Sequence, residues 1–315
     1  MSWSMTSRVF SVTAVGILAL SACGSDNGDD NSSVEADTRT ITDAQGTEVD
    51  VPTNPERVVA LSEQDLDAML ALDLKPIGTV NGRGQNTPPA YLEDAADIDI
   101  VGNIGEISLD SVLELEPDLV LFGASHDQEV LDQVRELVPA TVVTYELDAD
   151  WKSAFLGTAE ALNATDAAQA WLQEYQETAD TVAAGLGDEA GAEVSLIRWS
   201  PDGPSIMHEG AFASLVIQDL GLNRPETQHI DGFSHSDPLS LENLSQIDAD
   251  WLFVGTLVPG SDEALQEARN TPAFAQLDVV DNDRFIEVDG TLWTSRGGPI
   301  AAEQITTEIA QHLGG

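Results

Sequence analysis

Lysine is almost missing from this chain: only Lys75 and Lys152 occur in 315 residues. Lysine and arginine together number 12 against 56 aspartates and glutamates, a formal charge of −44. Scarcity of positive charge argues against nucleic acid as a partner, because phosphate backbones are bound by basic patches. It argues equally against docking on an anionic bilayer through a polybasic face. An acidic, lysine-poor surface suits a salty medium, where counterions screen self-repulsion. Cysteine occurs once, at Cys23, so no intrachain disulfide can form. Long apolar runs are also lacking. The longest, residues 9–20, falls short of the roughly 20 residues that cross a bilayer.

Enzyme signatures are missing too. There is no G-x-S-x-G, no P-loop and no G-x-G-x-x-G opening a helix after a strand. The histidines at 126, 208, 229, 235 and 312 show no metal-ligand spacing beyond the weak grouping of His229 and His235 with Asp231 and Asp237. Carboxylates are too abundant for any acid pair to be informative. Arginine, scarce here, carries more information.

What is present begins with an address. Arg8 precedes an apolar stretch with the length of a signal h-region. Leu20-Ser21-Ala22-Cys23 follows directly and resembles a bacterial lipobox. The expectation is a signal peptide over residues 1–22, with Cys23 acylated as the first mature residue. Residues 23–37, rich in Gly, Ser, Asn and Asp, read as a flexible tether.

In the body, residues 38–43 and 47–51 alternate apolar and polar around Asp43-Ala44-Gln45-Gly46, a β-hairpin pattern. Short β-branched runs then alternate with helical patterns, which predicts an α/β fold with mainly parallel sheets. Residues 151–187 contain no strand signal. They predict two helices, the second roughly 30 Å long, with Thr165 or Asp166 as its cap. The division expected is an N-terminal α/β lobe (38–150), a connecting helical segment (151–187) and a C-terminal α/β lobe (188–315). Residues 108–123 align without a gap on 240–255, at an offset of 132. Each copy reads as a short helix, an acidic turn and a buried strand, which implies two similar lobes facing each other.

Ligands of open α/β sheets bind at the carboxyl ends of strands. Of nine arginines after Cys23, three fall there by this reading: Arg83, Arg198 and Arg296. Trp199 and Trp293 stand close by. Guanidinium for charge and indole for stacking suit an anionic, partly flat ligand. Tyr145, His126, Met207 and His208 are second-rank candidates at strand ends. Arg135 and Arg269 lie in helical patterns, and Arg135→Ala is expected to be neutral to binding.

Several motifs follow one another along the chain: Arg39-Thr40-Ile41-Thr42-Asp43-Ala44-Gln45-Gly46-Thr47, Pro55-Glu56-Arg57-Val58-Val59-Ala60-Leu61, Ser108-Leu109-Asp110 with Glu116-Pro117-Asp118, Ala140-Thr141-Val142-Val143, Asp219-Leu220-Gly221-Leu222, Ser240-Leu241-Glu242-Asn243-Leu244, and Trp293 with Gly297-Gly298-Pro299. Their order and spacing resemble the iron–siderophore substrate-binding lipoproteins of bacterial ABC importers (cluster III, or cluster A-II). The resemblance implies the class III periplasmic-binding-protein fold, two α/β lobes joined by one long helix. It implies a non-enzymatic monomer, exported and held to the outer face of the cell membrane by its lipid alone. Such a protein carries a ferric siderophore in the inter-lobe cleft, with no intrinsic cofactor or metal of its own, to an ABC permease dimer. Asp110 and Glu242 are then the acids that dock on permease arginines, with Asp at 110 one methylene shorter than the usual Glu. Haem and cobalamin are alternative ligands of the same fold, and a lipid-anchored hydrolase is the alternative of another class. Whether the siderophore is catecholate, carboxylate or hydroxamate depends on which side chains meet in the cleft.

Overall fold

Three short strands are buried from end to end: Val58–Ala60, Leu119–Phe122 and Thr141–Val143. A strand buried on both faces belongs inside a parallel sheet covered by helices, and the computed structural model, which describes residues 37–124 and 127–314, shows this arrangement twice. Cys23, the signal segment, all of the tether but Asp37, and His126 lie outside the described residues.

An antiparallel hairpin, β1 (Thr38–Thr42) and β2 (Glu48–Pro52), opens the body. Asp43 shapes its turn by accepting the backbone N–H groups of Gln45 and Thr47. The first lobe follows with β3 (Val58–Ala60), α1 (Glu63–Ala71), β4 (Gly78–Asn81), β5 (Asp99–Asn103), β6 (Glu106–Ile107), α2 (Leu109–Glu114), β7 (Leu119–Phe122), α3 (Gln128–Leu137) and β8 (Thr141–Val143). Its six-stranded sheet has the order β6-β5-β4-β3-β7-β8 and is parallel except at β6. The chain crosses from β3 to one side and later returns to the other, so β3 and β7 mark the switch point where such sheets open a crevice.

Two helices come next, α4 (Trp151–Ala161) and the 21-residue α5 (Thr165–Gly185). Thr165 is the first residue of α5 rather than its cap. Ala164 stands at the cap position and supplies no side-chain hydrogen bond, so the predicted cap is corrected. The second lobe contains β9 (Val194–Ser200), β10 (Gly203–Ile206), α6 (Phe212–Asp219), β11 (Trp251–Thr256), α7 (Ser261–Arg269), α8 (Asp278–Asp281), β12 (Phe285–Asp289), α9 (Gly290–Trp293) and α10 (Pro299–Leu313). Its four strands run β10-β9-β11-β12, parallel apart from the β9–β10 hairpin.

The sequence repeat has a structural counterpart. In the first copy Asp118 accepts the N–H groups of Glu56 and Arg57 at the entrance to β3. At the aligned position Asp250 accepts the N–H of Glu193 at the entrance to β9. Each acid starts the parallel strand next to its own. The copies differ in their helices: α2 is α-helical, whereas residues Leu241–Ile247 form a kinked 3₁₀ segment.

One side chain joins the lobes at a helix end. The first N–H groups of any helix lack intrahelical partners. In α10, those of Gly298, Ile300 and Ala301 are all accepted by the carboxylate of Asp67, at 3.1, 2.8 and 3.2 Å. Pro299, between them, has no N–H to satisfy. The approach is close enough that a Cβ on Gly298 would lie 2.9 Å from Cγ of Asp67, which accounts for glycine there. Asp67 belongs to α1 in the first lobe, while Ala301, Ala302, Ile305, Ile309 and Leu313 of α10 sit in the core of the second. Burial outweighs the three N–H groups and pushes the Asp67 carboxyl up to about 6.

Asp67→Ala should leave these helix N–H groups without an acceptor and cost on the order of 3 kcal/mol in chemical denaturation. Because its folded pKa lies above the ordinary 3.8, the contribution of Asp67 protonation is complete below about pH 4 and is lost as pH rises through 6. Between pH 7.5 and 5.5, wild type should therefore gain about 1 kcal/mol relative to Asp67→Asn, which cannot titrate. Parallel stability–pH curves for the two proteins would contradict this.

Candidate ligand-binding cleft

The arginines divide by how their charge is satisfied. Arg39 donates to the carbonyls of Glu160 and Ala161 at the end of α4, and Arg57 to those of Leu115 and Glu116 at the end of α2. Arg269 pairs with Glu287, and Arg284 with Glu189. Arg135 pairs with the fully buried carboxylate of Asp43 and so fastens α3 to the hairpin turn. Arg224 is buried, bonds to Met207 O and Gln228 Oε1, and is pushed down to about 10 by that burial.

Arg83, Arg198 and Arg296 are different. They line a single cavity of about 470 Å³, and among the described residues none of them enters an ion pair. Arg83 comes from the loop after β4, Arg198 from β9, and Arg296 from the turn between α9 and α10. Their positions are held by backbone and ring contacts. Arg198 donates to Thr294 O. Arg296 donates to Leu147 O at 2.9 Å and lies over the ring of Phe233, 5.0 Å from its centroid. Burial, with repulsion from Arg83, pushes Arg198 down to about 10, and burial also lowers Arg296. Arg198, at about 10, stays cationic at neutral pH, and desolvation raises what an incoming anion gains from it.

Both tryptophans predicted for the cleft are elsewhere. Adjacent residues on a strand face opposite sides. Arg198 faces the cavity, so Trp199 turns into the core beneath, against Phe274 with centroids 6.2 Å apart. Trp293 is fully buried, stacks on Phe253 at 4.6 Å and donates its indole N–H to Glu308 at 2.6 Å. Tyr145 is also buried, behind the cavity wall where a Cβ on Gly123 would strike its hydroxyl. His208 lies beside the cavity, where its backbone N–H donates to Ser234 O, and burial with the proximity of His235 lowers the pKa of its ring.

The sequence reading missed Phe233, His235 and Ser295, which do line the cavity together with Met207. Ser295 was detectable from its place beside Arg296. Phe233 and His235 lie in an irregular loop brought to the site by an isolated bridge between Met207 and His235, and no periodicity marks such a loop.

Asp110 and Glu242 are both exposed, each in the first turn of the helical segment that opens its repeat.

A model of the "Periplasmic binding protein" family matches residues 58–292. The chain belongs to the periplasmic binding protein family. It is 30% identical over 316 residues to a Bacillus subtilis relative described as a probable siderophore-binding lipoprotein, YfiY, covering 96% of each chain. Among solved structures, that of Staphylococcus aureus SirA complexed with staphyloferrin B superimposes with a TM-score of 0.77 at 23% identity, over 88% of this chain and 98% of that one. The triscatecholate siderophore-binding protein FeuA of Bacillus subtilis, complexed with ferri-bacillibactin, gives 0.73 at 19% identity, over 87% and 98%. The fold is therefore the class III arrangement of this family, two α/β lobes with helices between them. Members of this family are binding proteins rather than enzymes.

Truncating a buried aromatic typically costs 3–5 kcal/mol. Trp293→Ala and Trp199→Ala should each lower folding stability by about that much, while the fraction that folds keeps the wild-type ligand affinity. Loss of affinity without loss of stability would return the indoles to the ligand site.

Proposed function

We propose that this protein captures an anionic ferric siderophore between its lobes and delivers it to an ABC importer. The observation that carries this reading is the convergence of Arg83, Arg198 and Arg296 from both lobes on one cavity, without ion-pair partners. In a chain with 56 acids, three guanidiniums that line one cavity and enter no ion pair among the described residues favour an anionic ligand. With both tryptophans in the cores, no indole lines the cavity among the described residues, so a carboxylate or catecholate chelate fits better than a hydroxamate. The iron arrives fully chelated, and the protein contributes charge and hydrogen bonds rather than metal ligands. The relative YfiY, by its description a probable siderophore-binding lipoprotein, supports the ligand class and an extracytoplasmic location.

On this reading the protein acts as a monomer, exported and anchored by acylated Cys23, and touches the membrane through that lipid alone. Asp110 and Glu242 dock on the permease dimer. They are spaced by the internal repeat, as a two-fold permease surface would need. Cys23→Ser should release the protein into the medium or leave it as unprocessed precursor, read by fractionation and immunoblot. Fully processed protein retained on the membrane would contradict the anchor.

Tryptophan fluorescence titration should show tight binding of ferric tris-catecholate or ferric citrate-type chelates, and weak or no binding of ferric trihydroxamates, haem and cobalamin. A charge-assisted hydrogen bond to a desolvated group contributes about 1.5–3 kcal/mol, so each of Arg83→Ala, Arg198→Ala and Arg296→Ala should weaken the anionic chelate by roughly ten- to a hundredfold. Arg269→Ala, at a half-exposed pair, is the neutral control. Arg135 cannot serve as one, because its loss strands the buried Asp43 carboxylate. Equal affinities for the cavity variants and Arg269→Ala would overturn the site.

A further inference from the structure

The three guanidiniums share a neighbour that does not itself line the cavity. Glu63 opens α1 at the carboxyl end of β3, is 4% exposed, and lies one layer behind the wall. Its carboxylate accepts the backbone N–H of Arg83 at 2.6 Å and the hydroxyl of Ser295 at 3.1 Å. Thus it holds one cavity residue from each lobe. It forms no ion pair with any of the three arginines, yet its charge acts on Arg83, Arg198 and Arg296. Four residues on along the same helix face, Asp67 caps α10.

We propose that Glu63 is a positioning residue of the cleft, whose buried carboxylate anchors the Arg83 loop and Ser295 and acts as a fixed counter-charge that tempers attraction for highly charged anions.

This inference rests on the ferric-siderophore reading above. The physical argument is one of charge in a dry place. Arg83 repels the partly desolvated Arg198 and Arg296, and a carboxylate beside them lowers that repulsion in the empty cleft. The same carboxylate repels an anionic ligand. Glu63 therefore trades affinity for a preorganised and stable empty site. The other ionisable groups around it are Asp65 and Asp67 on its own helix, Tyr91 packed against α1, and Asp127 and His235 in the cavity lining. Burial raises the pKa of Glu63, and the contacts to Arg83, Ser295 and Arg296 oppose that rise.

Glu63→Gln removes the charge and keeps the shape. Its amide oxygen still accepts the Arg83 N–H, and its amide N–H still reaches Ser295. Glu63→Asp keeps the charge and shortens the arm. Both variants and wild type are titrated with ferric tris-catecholate and ferric citrate-type chelates at low and at high salt, with thermal melts alongside. The expected result is that Glu63→Gln melts lower but binds the anionic chelates roughly tenfold more tightly at low salt, a gain that shrinks at high salt. Glu63→Asp should bind more weakly than wild type at both salt levels, because the Arg83 loop loses its anchor. A purely structural role would weaken binding in both variants alike. Unchanged or weaker binding by Glu63→Gln at low salt, or a gain that salt does not reduce, would overturn the inference alone. A wild-type protein that binds neither anionic chelate would overturn the siderophore reading and this inference with it.

Discussion

The carboxylate of Asp67 at the start of α10 is the contact on which the rest of the binding geometry depends. A helix end offers several N–H groups that must find acceptors, and here one side chain from the opposite lobe takes three of them. Since α10 forms part of the second lobe's core, fixing its end fixes the turn just before it, which carries Ser295 and Arg296. Because α1 rises from β3, the switch-point strand, the same helix places Glu63 under the cavity. Asp65, between them, is taken up by the hydroxyls of Ser62 and Thr144 in its own lobe and of Thr158 in α4. Thus three buried acids on one short helix divide the work: one secures α1, and two reach across.

Such a helix is costly unless every charge is met, and each is met by hydrogen-bond donors rather than by cations. This choice leaves the cations of the cleft available. A salt bridge between Asp67 or Glu63 and a cleft arginine would neutralise both partners and remove the arginine's value to a ligand. Backbone N–H groups and hydroxyls satisfy the acids without consuming positive charge. The rest of the molecule follows a similar logic, with the remaining described arginines committed to helix ends, surface pairs or buried networks.

The pseudo-symmetry of the lobes bears on delivery as well as capture. Asp118 and Asp250 perform the same structural task in the two halves, each starting the neighbouring parallel strand. Asp110 and Glu242, eight residues earlier in each repeat, are left exposed in first turns. Acids there are favoured by the helix dipole in any case, so a surface for docking costs the fold little.

By itself the sequence determined the class of the fold, the two-lobed repeat and the residues of interest by charge. Strand burial and helical periodicity are local properties, legible wherever a run of residues obeys one period. Arginine is so scarce here that its placement at strand ends already singled out Arg83, Arg198 and Arg296. Tertiary structure alone decided which neighbours came with them. The alternation of β9 sent Trp199 away from Arg198, a consequence of strand geometry that the sequence contained but that proximity in the chain obscured. Burial of Trp293 against Phe253, and the arrival of Phe233 and His235 from an irregular loop, depend on contacts between residues far apart in sequence. Glu63 and Asp67 stayed hidden among 56 acids, because nothing local distinguishes a carboxylate that faces solvent from one that meets an opposing helix end. That distinction is made only when the lobes come together and water leaves the space between them.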